Sequence, residues 1–267
     1  RINENQLWNA SMRTKIVETL DEKQDFYRKR QMPWMIGNFQ ILLADKNRPA
    51  TTYEELEWFL SKAAAYDAGF GLIFDAETMR KHGLTPIFLK AVNIWETLRL
   101  AGAFNEEQKE QFKDPYANWH IAKDNDSTYS LFAEHISRRY FCQFDDDRWE
   151  WYSPYTSRYA LSITVEGKGS ISELNFRTPN GILYLPCTLK AGQHLVYDFN
   201  GTACITDQDF NIVNEVIPQG VSFLDEGLSE VSFTCEVKPQ DKQQPSVTVR
   251  YYTHGVPECI HHQHPQK

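Results

Sequence analysis

Near residue 128 the hydrophobic pattern of this chain changes period, and no single fold class spans the change. Before it, apolar residues recur at helical spacing between short runs that are apolar throughout; after it, they alternate with polar ones. The run "AGFGLIF" (68–74) is apolar at every step, as a parallel strand buried on both faces should be. "PWMIGNFQILLA" (33–44) follows a Pro breaker and has the length of a second buried strand. Helical segments flank these runs. Residues 10–30 place Ile16, Val17, Leu20 and Phe26 at helical spacing, with Lys and Arg gathered at the end. In "TTYEELEWFLSKAAAY", Thr51 or Thr52 with Glu54 or Glu55 forms a capping box ahead of an apolar face. Thr85 and Pro86 supply a cap and a first-turn Pro for a helix over 86–102. Helix, strand, helix, strand, helix is the order of a parallel α/β sheet or barrel, but two strands are too few to build either.

From 128 onward, runs such as "RYALSITVEG", "GILYLPCTLKAG" and "PSVTVRYYTHG" are separated by Gly, Asn, Asp and Pro, which predicts an antiparallel β-sandwich. The expected organisation is an α/β part over 1–104, a connecting segment over 105–127, a sandwich over 128–255 and a loose tail over 256–267. The connecting segment carries Phe112, Tyr116, Trp119 and Ile121, too much apolar surface for a free tether. It is expected to pack against both the last helix and the sandwich. Asn105 with Gln108 marks one short capped helix inside it.

Composition excludes several functions. A net charge of −8 without a long basic run argues against nucleic acid, whose phosphates need a basic face, and no apolar stretch is long enough to span a membrane as a helix. The five cysteines are odd in number and lack paired spacing; Cys142, Cys187, Cys204 and Cys235 lie in strand-like runs and read as small buried hydrophobes, with one disulfide as the alternative. No cofactor or metal is expected. The first residue is Arg1 rather than Met, which suggests a processed chain or a fragment.

The pattern "PWMIGNFQILLADK...TTYEELEWFLSKAAAYDAGFGLIFDAETMRKHG...AVNIWETLRLAGAF" resembles the last two units of the TIM-barrel domain in secreted glycoside hydrolases of gut bacteria. "LPCTLKAGQHLVYDFNGTACITDQDFNIV...VSFLDEGLSEVSF" resembles the jelly-roll-like sandwich that follows such barrels. The resemblance implies the final βα units of a (β/α)8 barrel whose N-terminal part lies outside this chain. It also implies a glycan substrate and an exported protein, periplasmic or at the cell surface. A non-catalytic carbohydrate-binding or accessory module is the alternative.

The barrel reading places candidate residues at the C-terminal ends of the strands. Asp75 and Glu77 follow the second strand and could include one of the two carboxyls that glycoside hydrolysis uses. They could equally be helix-start acids, with Asp75 as a cap. Asn38 and Gln40 inside the first strand, and Asp45 after it, are candidate sugar contacts, or partners of a neighbouring strand. No Glu occurs between Pro33 and Ala50, where many retaining barrels would carry a nucleophile. In the sandwich, "FDDDRWEWYSPY" (144–155) offers Trp149, Trp151 and Tyr152 as a stacking platform; Trp149 and Trp151 share one strand face, which could instead be core. Asp145, Asp146 and Asp147 read as a solvated turn rather than a Ca²⁺ loop. His261, His262 and His264 read as part of a free end.

Overall fold

The computed structural model describes residues 10–30, 35–144 and 147–261. Contacts divide the chain into two units, one formed by 1–133 with 256–267 and the other by 134–255. Helices with a short parallel strand pair come first, and large antiparallel sheets follow.

The first unit opens with helix α1 (Ala10–Lys29) and strand β1 (Met35–Gln40). Helix α2 (Tyr53–Ala65) starts where the Thr-x-x-Glu spacing predicts, with the Glu55 carboxylate accepting from Thr52 N–H at 2.9 Å. Strand β2 (Gly69–Ile73) lies parallel to β1, in the register Asn38 to Gly71, Phe39 to Leu72 and Gln40 to Ile73. Two helices follow where one was expected, α3 (Ala76–Lys81) and α4 (Thr85–Leu100). Helix α4 begins one residue early, so its cap is Leu84 and Thr85 already belongs to its first turn.

Helix α5 (Glu106–Phe112) carries the Asn105–Gln108 box in both directions, at 2.8 and 3.0 Å. Strand β3 (Asn118–Lys123) then forms a hairpin with the start of β4 (Thr128–Ile136). Thus 105–127 is helix and strand, and Phe112, Trp119 and Ile121 belong to the core of the first unit. Tyr116 does not join them; it is 59% exposed, and its hydroxyl meets Thr14.

Helix α2 is buried on nearly every side, and it buries charge as well as carbon. Lys62 is fully buried and donates to the carbonyls of Phe112 and Asp114, the latter at 2.7 Å. These carbonyls lie where α5 ends and its last C=O groups lack helical partners. Trp58 Nε1 donates to Pro115 O in the same turn. Two side chains of α2 therefore close the end of α5.

The second unit takes the rest of β4 and adds β5 (Tyr140–Phe141), β6 (Asp147–Ser153), β7 (Ser157–Glu166), β8 (Ser170–Thr178), β9 (Gly181–Lys190), β10 (Gln193–Tyr197), β11 (Ala203–Thr206), β12 (Ile212–Val216), β13 (Gln219–Gly220), β14 (Phe223–Leu224), β15 (Gly227–Lys238) and β16 (Ser246–His254). One sheet follows the order β12-β11-β10-β7-β16, and the other β13-β9-β8-β15-β6. Both supply one shared core. Leu161, Ile163 and Leu195 enter it from the first sheet, and Leu174, Phe176 and Val231 from the second. The alternation seen in the sequence is thus in-out alternation about this core.

The tail differs from expectation. Residues 258–261 form β17 (Glu258–His261), which pairs with residues 128–131 of β4 in the first unit. Ile260 is buried there, and a four-residue strand is too short to announce itself by periodicity. His262 and His264, like Asp145 and Asp146, lie outside the described residues. All five cysteines are free; Cys187 is buried and Cys259 exposed.

Burial, reinforced by Arg13 and opposed by Asp114, lowers the Lys62 pKa to about 7 from the 10.5 of an exposed lysine. Between these values the unfolded chain holds a proton that the folded chain has lost, so stability rises with pH across that window. The slope is at most about 1.4 kcal/mol per pH unit. Urea unfolding at pH 7 and pH 9 should show this rise in the parent chain and a flatter response in Lys62→Met. Equal slopes would contradict the assignment.

Candidate functional site

The candidate contacts of the α/β part are set by the parallel pair. Phe39 from β1 and Phe70 and Leu72 from β2 face the helices and join the first core. Asn38 and Gln40 stand on the opposite face, Asn38 exposed and Gln40 half-buried. Gly71 is the register partner of Asn38, and a side chain at 71 would collide with the Asn38 amide. The glycine therefore leaves room for Asn38 to lie across its neighbour. Where the strands end, Ile41 N–H still bonds Ile73 O at 3.0 Å, so both strands leave the sheet at the same edge.

Asp75 lies two residues beyond that edge and caps α3, accepting from Thr78 N–H at 2.7 Å. The Thr78 amide, then its hydroxyl, holds the Asp75 carboxyl below the usual carboxylate range. Glu77 points to solvent and pairs with Lys81 at 2.6 Å. Asp45 is exposed in the loop after β1, bonding Asn47 N–H and pairing with Arg48 at 3.0 Å. The strand ends gather Gln40 and Asp75 at one edge, but both candidate acids already have partners of their own.

The aromatic candidates separate by strand parity. Trp149 and Trp151 share the inward face of β6. Trp151 is fully buried and stacks on Tyr251 at 4.2 Å. Trp149 lies nearly parallel to Phe233 at 5.9 Å, against the same core. Those faces are filled by protein, so no sugar ring can stack on Trp151. Tyr152, on the outward side, is 52% exposed and meets His135 edge-on at 6.0 Å.

One polar cluster escaped the sequence reading. Glu57 of α2 is buried, and its carboxylate takes Trp95 Nε1–H at 3.1 Å, Ile121 N–H at 3.2 Å and His120 Nδ1 at 2.8 Å. Three elements converge on this single group, from α4 and β3 onto α2. A buried carboxylate that orients an imidazole through Nδ1 fixes the ring tautomer. Here it also ties the core together. No signal in the sequence separated Glu57 from Glu54 and Glu55 beside it.

No family model matches the sequence, and no curated protein matches it. Among solved structures, the capsular polysaccharide assembling protein CapF from Staphylococcus aureus aligns with 87% of this chain and 71% of its own, at 9% identity and a TM-score of 0.12. A likeness at that level carries no argument about fold or activity.

The two carboxylates should respond differently to removal. Glu57→Ala leaves buried N–H groups of Trp95 and Ile121 without an acceptor and should cost about 3 kcal/mol or more. Asp75→Ala removes one cap on a short, exposed surface helix and should cost much less. Urea unfolding of both variants tests the order, and a Glu57 variant as stable as the parent would refute the role given to the cluster.

Proposed function

We propose that this chain is part of a carbohydrate-active, glycoside hydrolase-like protein in which β1 and β2 are terminal strands of a larger parallel barrel. The observation that carries this reading is the two-sided character of the pair. One face is apolar against helices, and the other presents Asn38 and Gln40, with Asp75 just past the strand ends. A barrel strand has this character when its outer side packs on helices and its inner end meets substrate. Parallel strands are otherwise covered on both faces. Further parallel strands from the same protein would complete the sheet.

In this reading Asn38 and Gln40 bond sugar hydroxyls. Asp75, held ionised by Thr78, suits the carboxylate partner of the pair rather than the proton donor. The acid would then come from outside this chain. The protein would be exported, acting in the periplasm or at the cell surface.

One observation favours a second reading, a non-catalytic glycan-binding module. Asp75 is engaged as a cap and Glu77 in an ion pair at the surface, so neither side chain sits in an apolar pocket. Two assays on the full-length protein separate the readings: reducing-end release from soluble polysaccharides, and retardation in gels that contain them. The enzyme reading expects release that falls at least tenfold in Asp75→Asn. The binding reading expects retardation without release, weakened by Asn38→Ala with Gln40→Ala. A protein that neither cleaves nor is retarded by any of them would defeat both.

A further inference from the structure

The outward face of the first sheet in the second unit carries a row of side chains that neither sequence motifs nor the α/β site uses. Strand pairing sets Arg250 beside Ser162, Ser162 beside Val196, Val196 beside Cys204, and Cys204 beside Glu215. Their chain neighbours Tyr251, Leu161, Ile163, Leu195 and Ile205 are buried in the core, so the row points the other way. Arg250, Ser162, Val196 and Cys204 are half-buried, and Glu215 at the far end is exposed.

Two hairpin tips bring aromatic rings over this face. Phe199, in the β10–β11 turn, stacks on His254 with centroids 3.7 Å apart. Phe210, in the β11–β12 turn, stacks on His194 at 5.0 Å, and His194 Nδ1 meets Thr164 Oγ1 at 2.9 Å. His194 and Thr164 share a row with Thr248, two residues before Arg250, while His254 lies four residues after it. At about 3.3 Å per residue, the two stacked pairs stand roughly 20 Å apart along the strands, with the Arg250 row between them. That span accommodates a short run of sugar rings.

Arg250 gives the face its chemistry. Its Nε is buried and has no hydrogen-bond partner, and no carboxylate pairs with the guanidinium among the described residues. Only Nε is shut off from water; the two terminal nitrogens are not among the buried atoms. A carboxylate can accept two parallel N–H bonds from those terminal nitrogens. Acids do stand nearby, Glu215 at the end of the row and Glu134 against His254 at 3.2 Å. They would repel an anion from those positions and so confine its carboxylate to the Arg250 end.

We infer that this face binds an acidic glycan. A uronic acid carboxylate sits on Arg250, ring hydroxyls reach Ser162, and an apolar sugar face lies over Val196. The inference rests on the carbohydrate reading above and names the class of sugar. This face uses no residue of β1 or β2.

The test is affinity electrophoresis of the whole chain in gels containing polygalacturonate or, separately, neutral hydroxyethylcellulose. Polygalacturonate should retard the parent, and Arg250→Met should raise the dissociation constant at least tenfold, with Arg250→Lys in between. Val196→Glu should give a similar loss by placing a like charge in the middle of the row. Near-UV circular dichroism of each variant shows whether its core is intact, and the two substitutions act independently should one fail to fold. Equal polygalacturonate binding by parent, Arg250→Met and Val196→Glu would overturn this site. Retardation by the neutral polymer alone would overturn the acidic preference while leaving the carbohydrate reading standing. Retardation by neither polymer would overturn the inference outright, while cleavage or binding of other polysaccharides would still decide the broader reading.

Discussion

The first unit depends on two ionisable groups buried in one helix. Glu57 and Lys62 both lie inside the packing of α2, where an ionisable group is tolerated only if every polar atom is met. Glu57 requires the indole of Trp95 and the start of β3 around His120 and Ile121. Lys62 requires the carbonyls at the end of α5. These demands fix the course of 105–123 beside α2 more narrowly than apolar burial could, because hydrophobic contact has no direction and hydrogen bonds do. The aromatic chain Trp95, Phe104, Phe112 and Trp119 then fills the same region, with centroids 5.1 to 5.6 Å apart. A segment that reads as a connector is, for this reason, an integral layer of the first unit.

Local grammar was legible in the sequence wherever the signal was local. The boxes at Thr52–Glu55 and Asn105–Gln108 lie where their spacing put them, because a cap needs only a few neighbouring residues. The strands of the second unit follow period two for the same reason. Helix α3 was hidden because six residues give less than two turns of periodicity, although its cap Asp75 was visible as one alternative. The strand at 258–261 was hidden because its partner lies some 130 positions earlier, and no local pattern reports a pairing at that distance.

The sites were less legible, and parity explains why. Alternation told that Trp149 and Trp151 share a face, but not whether that face met solvent or the opposite sheet. The answer came from Phe233 and Tyr251, which stack on them from other strands. Similarly, Asp75 and Glu77 are two residues apart and both exposed, yet one caps α3 and the other pairs with Lys81. Residue type and spacing supplied the candidates, whereas tertiary partners determined what each carboxylate already does.

The outward face of the second unit shows how local chemistry and distant register combine. Asp198 accepts from Asn200 N–H, Thr202 N–H and the Thr202 hydroxyl, which pins the β10–β11 turn and with it Phe199. Asp207 does the same for the next turn, accepting from the Asp209 and Asn211 amides and holding Phe210. Each turn is written in five consecutive residues, "DFNGT" and "DQDFN". What those residues cannot encode is the floor between the rings. Arg250 comes to Ser162 and then Val196 only through two antiparallel registers, and a one-residue slip in either would send its partner into the core. The core therefore protects the arrangement: burying Leu161, Leu195 and Tyr251 is what holds the outward row in line.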